Sequence, residues 1–284
     1  DAARFRSSSR AGLVSGPRGS APRRRSAHAP TLWLILGALG AALFVVPLVG
    51  LLLRTPWNRL PDLLASPVVI DALRLSVVTS LSATALSAVL GIPLAWLLAR
   101  GEFPGKGLLR GVVTLPLVLP PVVGGAVLLF ALGRRGLVGA PLANATGLVL
   151  PFSLAGVVVA TTFVSMPFLV IVVEGALRNL DRRYEEAAAT LGAGPWSVIR
   201  RVTLPMISSS LLAGLVLTWA RAFGEFGATI TFAGNLQGRT QTLPLAVFVA
   251  LESDRETAVA ISLLMVAVAL GVLLLLKDHW WASR

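Results

Sequence analysis

The sequence predicts an all-α, polytopic membrane protein with about six transmembrane helices. Hydrophobic residues make up 55% of the 284 residues and charged residues only 13%, about half of the charged fraction of a soluble globular protein. Runs of roughly 20 apolar residues recur along the chain, and each is long enough to cross the core of a bilayer. In so apolar a chain, the net charge of +12 is better explained by basic inner loops than by binding to nucleic acid.

The first 30 residues differ from the rest of the chain. They carry seven arginines among Ser, Gly and Pro and show no hydrophobic periodicity, so we expect a disordered, basic cytoplasmic tail over residues 1–30. The remainder, 31–284, is predicted to be one transmembrane domain. Its spans are placed at about 31–53, 73–99, 111–132, 150–177, 206–233 and 257–276.

The distribution of basic residues orients these spans. Seventeen of the 25 Lys and Arg residues fall in segments that this arrangement places inside, and the short inner loops are basic. Positive residues accumulate on the cytoplasmic side of membrane proteins. Both chain ends are therefore expected in the cytoplasm.

The third predicted span is rich in helix breakers, with Pro116, Pro120 and Pro121 followed by Gly124 and Gly125. Such a segment persists in a membrane only where its freed backbone groups find partners or line a wet cavity. One interpretation makes Pro120 and Pro121 part of the wall or hinge of a transport pathway. The other is a static kink, and the sequence does not choose between them.

Arg221 and Glu225 lie four residues apart in the fifth predicted span, where they would share one helix face. Ionisable residues within a membrane are costly and suggest function. In one interpretation Arg221 supplies positive potential to an anion pathway and Glu225 moderates it, with Ser165 and Thr229 in the same pathway or gate. In the other, the pair only holds the helices together. Glu225 is interpreted as the one carboxylate deep in the membrane.

Several kinds of catalytic chemistry find no support in the sequence. The two histidines, His28 and His279, lie in the tail and near the end of the chain, so no histidine-based catalytic or metal site is expected within the membrane. There is no cysteine, and no Gly-x-x-x-x-Gly-Lys-Ser/Thr loop to bind ATP. We therefore expect this chain to have no catalytic residue, no metal and no cofactor of its own.

The longest charged interruption of the apolar sequence, residues 181–205, predicts two short helices joined by an elbow. Asp181 is a plausible N-cap for the first helix, which is expected over 184–191. Glycines within 192–194 break it. The second helix is expected from 195 to about 203.

Pro195 suits the first position of that second helix, and Leu204 and Pro205 are expected to turn the chain into the fifth span. The whole segment is predicted to lie at the inner membrane surface. There it can press against a partner in the water.

Residues 186–205 resemble the EAA motif of ABC importer permeases: Glu-Ala-Ala, three residues, Gly, nine residues, then Ile-x-Leu-Pro, with Val202 in place of Ile. The resemblance implies coupling helices at about 181–203 that dock into a separate ATPase subunit, which binds ATP and magnesium. A rigid segment of this kind can transmit closure of the ATPase as a rigid-body movement. The residues that the resemblance assigns to coupling are Glu185, Glu186, Ala187, Ala188, Gly192, Leu204 and Pro205.

Four further stretches, 115–125, 163–168, 221–229 and 232–244, are similar to the permeases for molybdate, tungstate and sulfate, and the last two favour molybdate or tungstate. The resemblance implies a homodimer in a bacterial cytoplasmic membrane, with the pathway between protomers. It also implies an extracytoplasmic molybdate-binding protein. The polar outer loop is predicted either to contact that protein or to be merely solvated; the contact residues would be Gln237, Arg239, Thr240 and Gln241.

Three alternatives remain open at this point. A sulfate or thiosulfate importer differs from the molybdate interpretation only in its cargo. A secondary transporter driven by an ion gradient would often show inverted repeats and intramembrane carboxylates for coupling ions, whereas here no repeat is evident and Glu225 is already near an arginine. A membrane scaffold without transport leaves the proline-rich third span unexplained.

Overall fold

The computed structural model describes residues 31–281, with side chains as far as residue 274. The predicted tail, 1–30, lies outside these residues. Within them every regular element is helical, and a π-helical turn at Ile199–Thr203 separates α9 from α10. The helices are α1 (Thr31–Arg54), α2 (Leu60–Leu64), α3 (Pro67–Arg100), α4 (Lys106–Val118), α5 (Pro121–Leu132), α6 (Gly139–Thr146), α7 (Leu154–Asn179), α8 (Arg183–Thr190), α9 (Pro195–Val198), α10 (Leu204–Met206), α11 (Ser208–Phe223), α12 (Gly227–Phe232), α13 (Leu243–Ser253) and α14 (Arg255–Trp281).

The chain divides between Leu48 and Val49 into two units. The described part of the first unit is residues 31–48 of α1, and every one of its side chains is exposed. The helix as a whole has 24 residues, which is enough to cross a bilayer core. The second unit contains the remaining helices.

Four described helices, α1, α3, α7 and α14, are long and apolar enough to cross a membrane, and the pair Pro195–Met206 and α11, bent by 77°, counts as a fifth if the two form one span. The sequence predicted about six spans. The third of these, 111–132, is two shorter helices, α4 and α5. They are separated because Leu119 and Pro120 have extended backbone, with ψ of 135° and 131°. Each precedes a proline, whose ring disfavours helical backbone in the residue before it.

The fifth predicted span, 206–233, is also divided, since α11 ends at Phe223 and α12 begins at Gly227. Other boundaries shift by a few residues: α3 begins at Pro67 rather than near 73. The segments interpreted as outer loops contain short helices, namely α2, α6 and α13.

The centre of the second unit is the pair α3 and α7, against which α11 packs. Their buried contact includes Leu98, Leu169, Val173 and Leu177, together with Ile207 at the start of α11. A second apolar cluster joins α3 to α11, α13 and α14, and a third joins α5, α7 and α12. This packing brings the C-terminal ends of α3 and α7 next to the segment that follows α7.

Candidate coupling and pathway sites

The predicted coupling segment is a short helix with defined ends. Asp181 accepts a hydrogen bond through Oδ1 from the backbone N–H of Arg183 (3.0 Å) at the start of α8. At the other end Gly192 has φ of +86°, and the N–H groups of Gly192 and Ala193 donate to the carbonyls of Ala189 and Ala188 at 2.9 and 3.0 Å. This is the Schellman arrangement, whose left-handed residue favours glycine. The elbow therefore depends on Gly192.

Most side chains of this segment are exposed, and we call four of them the coupling patch: Tyr184, Glu186, Ala187 and Leu191. Leu191 is 89% exposed. Tyr184, Ala187 and Leu191 are spaced three and four residues apart and so share one helix face, and a contiguous exposed apolar surface is typical of a site that binds another protein. Ala188, predicted with this group, is half-buried.

Glu185 points the other way and fastens α8 to the bundle. Its Oε1 accepts a hydrogen bond from the Thr203 hydroxyl (2.9 Å), and its Oε2 lies 3.3 Å from Nη2 of Arg100 at the end of α3. The same guanidinium donates to the carbonyl of Leu180 at 3.3 Å. Because the Arg100 side chain is only 9% exposed, this ion pair is shielded from water. The sequence placed Glu185 and Glu186 in one coupling group, whereas the structure gives them opposite surroundings.

The sequence predicted that Leu204 and Pro205 turn the chain. They belong instead to the short helix α10, and the 77° bend follows at Ile207. The π turn comes directly before them, with the N–H of Leu204 donating to the carbonyl of Ile199. A proline has no N–H and crowds the carbonyl four residues earlier. The widened turn before Pro205 accommodates both effects.

Glu174 is a second buried carboxylate within a predicted span, and the sequence reasoning missed it. It lies inside the fourth predicted span and is 7% exposed. Its Oε1 lies 2.5 Å from Nη2 and 3.0 Å from Nε of Arg110, and 3.2 Å from Nε of Arg178. The position of Arg178 four residues later was the available signal. Arg110 is 64 residues away and gave none.

Arg221 and Glu225 form an ion pair, with 2.6 Å between Nη1 and Oε2, although α11 ends at Phe223 and they do not share one continuous helix. The other carboxylate oxygen of Glu225 accepts a hydrogen bond from the N–H of Ala228 in α12 (2.7 Å). Both carboxylate oxygens of Glu225 are therefore engaged, one by Arg221 of α11 and the other by the start of α12. Glu225 thereby links the two helices across the break. The Arg221 side chain remains 26% exposed.

The two broken spans cross each other closely. A Cβ on Gly227 would lie 2.8 Å from Cβ of Pro121, and one on Gly125 would lie 2.7 Å from Cβ of Thr231. These distances are shorter than real contacts between carbon atoms, so α5 and α12 meet with backbone against backbone. The proline break and the break at Glu225 thus belong to one packed unit. Pro120 and Pro121 are exposed beside it.

Ser165 and Thr229, the other predicted pathway residues, are fully buried in this unit. Their hydroxyl oxygens have no hydrogen-bond partner among the described residues. Neither borders an open surface of the single chain, so a pathway role for them stays a prediction that requires the helices to move.

The outer loop presents only part of its predicted contact set. Gln237 and Arg239 are exposed, whereas Thr240 and Gln241 are buried. The Thr240 hydroxyl oxygen accepts a hydrogen bond from the N–H of Leu236 (2.9 Å) and so fixes the loop. The predicted contact with an outer partner therefore rests on Gln237 and Arg239, and Thr240 and Gln241 hold the loop in shape.

Comparison with known proteins identifies the family to which the chain belongs. The profile of the family described as "binding-protein-dependent transport system inner membrane component" matches residues 89–279. The chain belongs to this family. It is therefore a membrane component of a transport system.

Two relatives and one solved structure give the range of similarity. Over 251 residues the chain is 49% identical to the molybdenum transport system permease protein ModB of Mycobacterium tuberculosis, covering 87% of this chain and 95% of the relative. It is 35% identical to the probable sulfate transport system permease protein of Zygnema circumcarinatum, covering 86% and 87%. A chain of a bacterial alginate ABC transporter, solved in complex with an alginate-bound periplasmic protein, superposes with a TM-score of 0.66 at 20% identity, covering 86% and 92%. That last likeness shows the fold.

Proposed function

We propose that this permease is the membrane-spanning subunit of an ATP-driven importer that carries molybdate, or its analogue tungstate, into the cytoplasm by alternating access. The observation that carries the proposal is the coupling patch, an exposed helical surface fastened to the bundle through Glu185. The higher identity to a molybdenum permease, 49% against 35% for the sulfate permease, supports the cargo. A sulfate or thiosulfate importer is the second candidate, supported by that more distant relative.

ATP hydrolysis belongs to a separate ATPase, which binds ATP and magnesium and receives the coupling patch. Glu186 and Leu191 project from a helix whose ends are fixed by hydrogen bonds at Asp181 and Gly192. Their position relative to the bundle is therefore defined. A push on this patch reaches α3 through the shielded ion pair of Glu185 with Arg100, as a rigid-body mechanism requires.

The pathway lies between two copies of this chain in a bacterial cytoplasmic membrane, with both chain ends in the cytoplasm. A molybdate-binding protein delivers the anion from outside and contacts Gln237 and Arg239. Within the membrane, Arg221 supplies positive potential, and Glu225 holds its guanidinium and moderates its charge. A conduit must bind its ion weakly enough to release it.

The proposal is tested by uptake of molybdate into vesicles that contain this chain with its ATPase and its binding protein. Glu186→Arg is expected to abolish ATP-dependent uptake while the amount of inserted protein is unchanged. Glu252→Arg is the matched control, because it reverses an exposed charge at the other end of the fold, on α13. Normal uptake by the Glu186 variant would contradict the coupling assignment. Uptake that follows a proton or sodium gradient and ignores ATP would contradict the class of transporter.

A further inference from the structure

An apolar cavity of about 290 Å³ lies between α3, α7 and the segment from α9 to the start of α11. This volume is near the lower end of the range for small-molecule sites, roughly 300–1,000 Å³. The lining is made of aliphatic and aromatic side chains, and the single hydroxyl, that of Thr203, is already engaged by Glu185. Ala88, Pro93 and Leu177 form part of its wall. Apart from the indole N–H groups of two tryptophans, the lining side chains offer a polar ligand no free donor or acceptor.

Two tryptophans stand in the wall of the cavity, Trp96 from α3 and Trp196 from α9. They are 39% and 72% exposed. Trp96 lies one turn before the end of α3, and tryptophan is enriched at the level of lipid headgroups, where its ring is apolar and its N–H is polar. The cavity is thus placed at the depth where an acyl chain meets its headgroup.

Basic residues adjoin the cavity. Arg200 and Arg201 follow Ile199, which lines it, and both are exposed. Arg200 is one helical turn from Trp196. Within the described residues neither arginine forms an ion pair. An apolar cavity with two unpaired arginines beside it suits a ligand that has an apolar chain and an anionic headgroup.

We propose that this cavity is a binding site for one acyl chain of an anionic phospholipid of the cytoplasmic leaflet, whose phosphate is bound by Arg200 and Arg201. The lipid would lie against Thr203, whose hydroxyl fixes the coupling helix through Glu185. The site therefore connects the composition of the membrane with the stiffness of the coupling segment. The binding itself does not depend on transport or on the identity of the cargo.

The test is native mass spectrometry of the purified full-length chain, titrated with phosphatidylglycerol or phosphatidylcholine of the same acyl chains. Each basic residue adds about 1 kcal/mol of attraction to an anionic lipid surface. The double variant Arg200→Gln/Arg201→Gln is therefore expected to bind phosphatidylglycerol about 30-fold more weakly, with phosphatidylcholine binding unchanged. The control is Arg134→Gln/Arg135→Gln, an exposed arginine pair remote from the cavity. This control is expected to bind like the unmodified chain.

Ala88→Phe fills the cavity and is expected to reduce the binding of both lipids. Circular dichroism checks that the Ala88→Phe variant is folded. If it is unfolded, the Arg200→Gln/Arg201→Gln variant alone tests the lipid site. Equal affinity of the unmodified chain for the two lipids, or wild-type binding by the Arg200/Arg201 variant, would overturn the proposal. So would an Ala88→Phe variant that loses its dimer while keeping its lipid, because the cavity would then be an interface between two copies of the chain.

Discussion

The close crossing of α5 and α12 makes a quantitative prediction for Gly125→Ala. The new Cβ would lie 2.7 Å from Cβ of Thr231 and 2.8 Å from the carbonyl oxygen of Ala228. Neither neighbour is the free end of a flexible side chain, so the helices must separate. Forcing a methyl group into a packed core costs about 1–3 kcal/mol. Replacing glycine by alanine in a helix returns up to about 1 kcal/mol. With the full return of about 1 kcal/mol, we expect a net loss of up to about 2 kcal/mol.

Gly124→Ala is the matched control, one residue earlier in the same helix. Its Cβ would meet only the ring of Phe163, with Cε1 at 3.4 Å and Cδ1 at 3.9 Å, which are ordinary contacts. This variant is expected to be neutral or to gain about 0.5–1 kcal/mol. The assay is thermal unfolding of the purified protein in detergent. If Gly125→Ala unfolds no earlier than Gly124→Ala, the two half-helices do not meet as closely as described, and the packed unit formed by the two breaks is wrong.

Three further variants test the charged contacts. Glu185→Ala is expected to destabilise the protein by about 1–3 kcal/mol, since it leaves the shielded Arg100 without its carboxylate, whereas Glu186→Ala is expected to change uptake but not the unfolding temperature. Glu174→Gln is expected to cost a similar amount, roughly 1–3 kcal/mol, because two arginines then face each other without a counter-charge. At the exposed start of α14, the hydrogen bond from the Thr257 hydroxyl lowers the pKa of Asp254, helped by backbone N–H groups and the charge of Arg59. Asp254→Asn is expected to lower the unfolding temperature at neutral pH.

The pH dependence of the Asp254 variant follows from the direction of that shift. A carboxylate with a lowered pKa stabilises the fold above its ordinary pKa of 3.8, and this contribution is lost as the pH falls through the lowered value. The difference in unfolding temperature should be present at pH 7 and should diminish in acid, once the pH falls below the ordinary pKa and through the lowered one. A difference that persists in acid would show that Asp254 acts by some other means. The control for Asp254→Asn is Glu252→Gln, which changes a neighbouring exposed carboxylate. The control for Glu185→Ala is Glu186→Ala.

The sequence was most informative where structure is local. Hydropathy identified an all-helical membrane protein, and Gly192 and Asp181 located the ends of α8 to within about a residue, because turn and cap requirements depend on a few adjacent residues. The sequence also identified Arg221 with Glu225, since their spacing of four brings them together. It did not show that a helix ends between them.

Contacts between distant residues could not be predicted in this way. Nothing in the sequence separates Glu185, bound to Arg100 across 85 positions, from the adjacent Glu186, which points to solvent. Likewise Glu174 owes its environment to Arg110, and the crossing of α5 with α12 depends on two glycines whose neighbours come from different spans. In each case tertiary packing, which a single sequence does not reveal, decides what the residue does.

The most direct test of the account is ATP-dependent uptake of radiolabelled molybdate by vesicles that contain this chain, its ATPase and its binding protein, with excess sulfate or tungstate as competitor. The account predicts uptake that requires ATP, resists sulfate and is suppressed by tungstate. Uptake abolished by sulfate would contradict the molybdate assignment and favour the sulfate importer. Uptake without ATP would contradict the importer mechanism itself.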